Sequence, residues 1–158
     1  VSPCTEACDY ESAFAVERPR DSSRSAEQWL RAVFEEAPLA LRWFLIVGWT
    51  ALTCRLRLRA APSRILGWQV EYATPDTALI AVRARIGLSS YVAVAVDADE
   101  ITLASFVRYT GPATSVARAL WTGTIPLHER MLRYLLTSAP RRNNRRIGPV
   151  APPADATG

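Results

Sequence analysis

Between Ile65 and Thr110 the chain alternates apolar and polar residues in four consecutive runs, and this pattern limits the fold more than any other feature. "ILGWQVEYA" puts Trp68, Val70 and Tyr72 on one face of a strand. "TALIAVRARI" puts Ala78, Ile80, Val82, Ala84 and Ile86 on one face, with Arg83 and Arg85 on the other. "SSYVAVAV" and "ITLASFVRYT" follow, and "TPD", Gly87 and "DADE" supply the turns between the four. A period of two makes a strand with one buried and one wet face, and turns this short join neighbours antiparallel. Such a meander has one apolar face that some other element must cover.

The flanking sequence supplies the cover. "CDYESAFAVE" alternates as well, with Tyr10, Ser12, Phe14 and Val16 opposite Glu11 and Glu17, and reads as a first strand. Ser25-Ala26-Glu27-Gln28 is a capping box, in which the serine accepts from the Gln28 amide and the glutamine side chain reaches back. A first helix then carries Trp29, Leu30, Val33 and Phe34 to Pro38, and a second, more apolar helix starts near Leu39 and passes Gly48. Its core, "WFLIVGWTALT", falls well short of the ~20 residues a membrane span needs. Arg42 and Arg55 flank it as they would an interfacial segment, but a buried helix is the expected reading.

"CRLRLRAAPSR" reads as an edge strand or a loop. A solvated edge accounts for Arg55, Arg57 and Arg59 better than contact with phosphate or anionic lipid. After Thr110 a helical pattern runs from about Ala113 to Ser138, and Gly123 and Pro126 predict a kink or break in it, because proline has no amide to donate. Residues 8–139 thus form one domain, residues 1–7 a loose N-terminus, and residues 140–158 a disordered, basic, proline-rich tail.

The order of strand, two short helices, antiparallel meander and long final helix resembles the helix-grip fold of the START and polyketide-cyclase-like (SRPBCC) superfamily. The resemblance covers roughly residues 8–139. "ALRWFLIVG", "LGWQVEY" and "W…IPLHERMLRYLL" are similar to an uncharacterised bacterial branch of it. The fold class it implies is α+β, a curved antiparallel sheet wrapped around a long C-terminal helix. It also implies a cavity between sheet and helix that admits a hydrophobic or amphipathic small molecule, without implying catalysis.

The single histidine of the chain, His128, is the residue to weigh. On a helix it shares a stripe with Ile125, Leu132 and Leu135, and with Trp121 if the helix is continuous through Pro126. It therefore points inward. An ordinary core histidine with bonded ring nitrogens is one reading, and a polar anchor for a ligand is another. A catalytic acid or base for a cyclase, dehydratase or isomerase is the third, but no carboxylate lies on its stripe to fix the tautomer. The expected pocket lining is Trp68, Tyr72, Ser105, Tyr109, Trp121 and His128. The alanines Ala78, Ala81, Ala84, Ala93, Ala95 and Ala104 leave volume wherever they face the helix.

Charge and cysteines narrow the classes further. All nineteen basic residues are arginine, and the net charge is +4. The tail from Arg141 holds four arginines and one aspartate, so residues 1–140 carry only +1, which argues against a nucleic-acid partner. Cys4, Cys8, Cys54 and His128 are too scattered for a metal site, and neither a metal nor another cofactor is expected. Reduced thiols in a cytoplasmic protein are the expected state of the cysteines. The reading at this stage is a protein that binds a hydrophobic small molecule and is more readily a non-enzyme than an enzyme. The remaining alternative is an interaction module, with the second helix as a homodimer face; the membrane surface ranks last.

Overall fold

The computed structural model describes residues 8–20, 22–51, 54, 56 and 61–146, with side chains described as far as Ala139. It is an α+β structure. Strand β1 (Tyr10–Glu17) is followed by helices α1 (Ala26–Phe34) and α2 (Leu39–Ala51). The strands β2 (Arg64–Ile65), β3 (Trp68–Ala73), β4 (Thr77–Arg83), β5 (Leu88–Val96) and β6 (Glu100–Tyr109) come next, and helix α3 (Thr114–Arg146) ends the described chain. The six strands form one antiparallel sheet in the order β1-β6-β5-β4-β3-β2. The first strand therefore closes against the last, and the meander runs outward from there.

Local chemistry builds these elements as the sequence requires. Ser25 Oγ accepts from the Gln28 amide and Gln28 Oε1 accepts from the Ser25 amide, so α1 starts with both halves of its capping box. Trp29, Leu30 and Val33 on its inner face are fully buried. The alternation in β5 is complete, with Leu88, Ser90, Val92, Val94 and Val96 buried and the residues between them half-buried. At the turn after Ala84, Gly87 has φ 79°, and a β-carbon there would run into the Thr110 carbonyl, so only glycine closes this corner.

The inner face of the sheet packs against α1 and α3. On α3 the buried stripe is Ala117, Trp121, His128, Leu132, Leu135 and Ala139, spaced by three, four and seven residues as one helical face requires. The helix is unbroken through Pro126 and continues to Arg146. Of the kink or break expected at Gly123 and Pro126, the break does not occur, and the helix extends into the segment expected to be disordered. Pro126 and Thr122, whose carbonyl loses its helical donor, both lie on the exposed side, where water can satisfy that carbonyl.

Two expectations about the sheet change. Four of the six alanines, Ala81, Ala93, Ala95 and Ala104, lie on the outer face, where Ala93 pairs with Ala104 and Ala95 with Thr102. They leave no room beneath α3. Tyr72 also lies on that outer face, because a bulge between Val70 and Tyr72 shifts the register: Val70 pairs with Ile80 but Tyr72 with Leu79. One extra residue in a strand reverses the facing of everything after it. The arginine-rich segment lies mostly outside the described residues; Cys54 makes an isolated antiparallel bridge with Ala84, and Leu56 packs against the core.

Helix α2 departs furthest from its expected burial. Only Leu45 and Trp49 are buried, while Leu39, Trp43, Phe44 and Val47 stand exposed. Among the described residues no helix is long and apolar enough to cross a membrane. Cys54 is a free, buried thiol, whereas Cys8 is disulfide-bonded and not the expected reduced thiol.

Candidate functional site

Helix α2 joins the body through Trp49, whose ring meets Trp68 edge-on at 4.7 Å and 89°. The same indole lies 5.9 Å from Trp121 and 6.0 Å from the His128 ring, and Trp121 meets His128 at 4.7 Å. The edge of Tyr10 closes on Trp121 from β1 at 5.6 Å. Trp49 of α2 and Trp121 of α3 thus flank the imidazole, with Trp68 and Tyr10 packed behind them, and such aromatic pairs have preferred ring geometries.

Above these rings, α2 and α3 part to leave an apolar groove of about 300 Å³. Trp49, Trp121 and His128 line it together with Phe44, Leu127 and Met131. The opening sits between the two helices, whereas the space between sheet and α3 is filled by one continuous core containing Leu30, Val33, Ile80, Val92, Leu103 and Leu132. Gly48 opens on the groove, and a β-carbon there would meet nothing within 4 Å. Glycine inside a helix costs roughly 0.5–1 kcal/mol relative to alanine, and no close packing at this position requires it.

The polar groups of the groove are few. His128 is only 5 % exposed, and its Nε2 lies 3.1 Å from Ser105 Oγ in the fully buried middle of β6. Among the described residues Ser105 is the ring's one hydrogen-bond partner, which leaves Nδ1 without a protein partner. Burial holds the imidazole pKa down at about 4, so the ring is neutral at physiological pH. The Nε1 of Trp121 is also buried without a partner, and Thr124 Oγ1 is already spent as a donor to the Trp121 carbonyl. Beneath the ring, Ser12 pairs across strands with Ser105. On the far side of α3, Tyr10 Oη donates to Glu129 Oε1 at 3.0 Å. Burial, with that carboxylate, raises the phenol pKa.

At neutral pH the ring can exchange a hydrogen bond but carries no extra proton. A ring whose conjugate acid forms only near pH 4 is a weak base and holds no proton to give at neutral pH. Among the described residues no carboxylate is bonded to it, and Ser105 is fully buried behind it. Among the described residues no three His, Cys, Asp or Glu side chains are grouped as a metal would need.

Of the six residues expected to line the site, the structure brings three together. His128 and Trp121 line the groove, and Ser105 supports His128 from below. Trp68 is buried behind Trp49 and supports α2. Tyr72 lies on the opposite face of the sheet, 37 % exposed. Tyr109 sits at the end of β6, its amide bonded to the Asp9 carboxylate and its ring beneath Arg118. Sequence reasoning missed the whole α2 side of the groove, Phe44, Gly48 and Trp49 above all. The available signal was a helix with more apolar residues than one core-facing stripe can use.

No protein-family model matches the chain, and no curated protein matches it. Among solved structures, the Mll3558 protein of Rhizobium loti is similar over 82 % of this chain and 96 % of its own. It is 15 % identical, with a TM-score of 0.34.

Proposed function

We propose that the protein binds a hydrophobic or amphipathic small molecule in the α2–α3 groove, with His128 as the polar anchor. The observation that carries this reading is a neutral, nearly buried imidazole in the floor of an apolar groove, one nitrogen held by Ser105 and the other unpartnered. A ligand with one hydroxyl, amide or carboxyl group at its end would satisfy that nitrogen while its body covers Phe44, Leu127 and Met131. The volume lies at the lower end of small-molecule sites. Kinship with the helix-grip superfamily belongs to the same proposal. The strand order and the final helix support it, while the position of the groove departs from the cavity such kinship implies. A cytoplasmic location belongs to the same proposal; of its grounds, the expectation of reduced cysteines is not supported at Cys8.

The test combines native mass spectrometry of freshly purified protein with titration by 1-aminoanthracene, a neutral apolar fluorophore. Wild type should carry a co-purified molecule or bind the dye saturably. Gly48→Leu should fill the groove and abolish binding. Its thermal stability should stay level or rise by up to about 1 kcal/mol, since leucine is the better helix former. An apo mass with no saturable dye binding, or equal binding by wild type and Gly48→Leu, would refute the proposal.

A further inference from the structure

Helix α2 poses a separate question. A helix apolar on every side belongs in a core or in lipid, yet this one shows most of its surface to solvent. Leu39, Trp43 and Val47, four residues apart, form one outward stripe with exposures of 66 %, 57 % and 62 %, and Phe44 beside them is 48 % exposed. Contiguous apolar surface of this kind marks a contact site.

The charges around the stripe say what it contacts. On one flank Arg42 and Arg64 share a cavity of about 600 Å³ with Trp43 and Ile46, and the carboxylate there, Glu35, is already bound by Arg31. On the other flank Arg130 stands with Phe44, Leu127 and Tyr134. Among the described residues none of these three arginines is ion-paired, and the Nε of Arg42 is buried without a partner. Composition extends the same sign: from Ala37 to Val70 the chain has five arginines and no aspartate or glutamate. An apolar ridge with cationic flanks matches the layering of a bilayer surface, where an anionic headgroup zone overlies hydrocarbon and tryptophan is favoured at the boundary. A second copy of the chain fits poorly, because both flanks are cationic, so a two-fold contact on this ridge would bring arginine towards arginine, and among the described residues of the flanks the one carboxylate, Glu35, is already bound by Arg31.

We propose that the α2 ridge docks the protein peripherally on an anionic lipid surface, with Leu39, Trp43 and Val47 entering the interface and Arg42, Arg64 and Arg130 meeting the headgroups. The proposal does not depend on the groove being occupied.

The test is co-sedimentation of the full chain with vesicles of phosphatidylcholine containing phosphatidylglycerol, against pure phosphatidylcholine, at low and high salt. Wild type should pellet with the anionic vesicles, less so as salt rises, and hardly at all with the neutral ones. The double variant Trp43→Ser, Val47→Ser removes exposed side chains, so it should keep its circular dichroism spectrum while losing vesicle affinity by roughly tenfold or more. Arg130→Glu should lose about tenfold on anionic vesicles alone. The Trp43→Ser, Val47→Ser variant should bind 1-aminoanthracene as wild type does, since neither residue lines the groove, which keeps failure of this proposal distinct from failure of the ligand-binding reading. Equal binding to both vesicle types, binding to neither, or a ridge variant that pellets like wild type would overturn the proposal. So would a dimer in analytical ultracentrifugation that the ridge variant dissolves.

Discussion

Lowering the pH should destabilise this protein through His128, and the effect can be isolated because the chain has one histidine. Burial sets the folded imidazole at about 4, against 6.5 for an unperturbed ring such as the unfolded chain has. The unfolded state therefore binds a proton, in the window between these values, that the folded state refuses. The associated stability is fully present above the unfolded value and is lost as pH falls towards the folded one. Between about pH 7.5 and about pH 4.5 the loss is ~2.5 kcal/mol, or a fall in melting temperature of roughly 5–10 °C in a domain of this size. The assay is thermal or urea unfolding of wild type and His128→Gln across that range. Glutamine does not titrate but can still reach Ser105, and the carboxylates contribute equally to both proteins. The wild-type curve should fall more steeply by that amount. Parallel curves would refute the burial and neutrality of the ring on which the binding proposal rests.

Other substitutions probe the frame around the groove. Ser105→Ala should cost about 1–3 kcal/mol in urea unfolding, because it strips a buried ring nitrogen of its partner. Gly87→Ala should destabilise more than an ordinary surface change, since it forces a β-carbon into the Thr110 carbonyl at a positive φ; a neutral melting temperature would show that the corner relaxes. The Cys54 thiol, pushed up to about 12 by burial, should resist iodoacetamide at mildly alkaline pH in the native state and react once urea unfolds the chain. Rapid native labelling would contradict its buried position.

Much of this architecture is legible in the sequence because local periodicity reports it. The alternation of β5, the capping box of α1 and the inward stripe through His128 all depend on near neighbours. The misreadings share a different cause. A bulge at Glu71 reverses the facing of Tyr72, and nothing in "WQVEYA" announces that one residue goes uncounted. Which face receives Ala93 or Ala104 is settled by neighbouring strands. Pro126 predicts a kink or break locally, yet α3 remains one helix, with Trp121 before it and Leu132 after it buried on the same face. Half of the groove was readable through His128 and Trp121. The α2 half was not, since an all-apolar helix gives no period to say which side meets the body and which is left out.

Pro126 also marks the middle of the groove. Its missing amide leaves one rung of the α3 ladder unmade, on the solvent side, and a helix bends most easily where a rung is absent. The groove straddles this point, with Leu120, Trp121 and Thr124 before it and Leu127, His128 and Met131 after it. Trp121 and His128, on either side of it, belong to the buried stripe that packs on the sheet, so the missing rung faces solvent and the lining stays in one helical register. The proline thus stands at the middle of the groove's α3 wall without interrupting the helix.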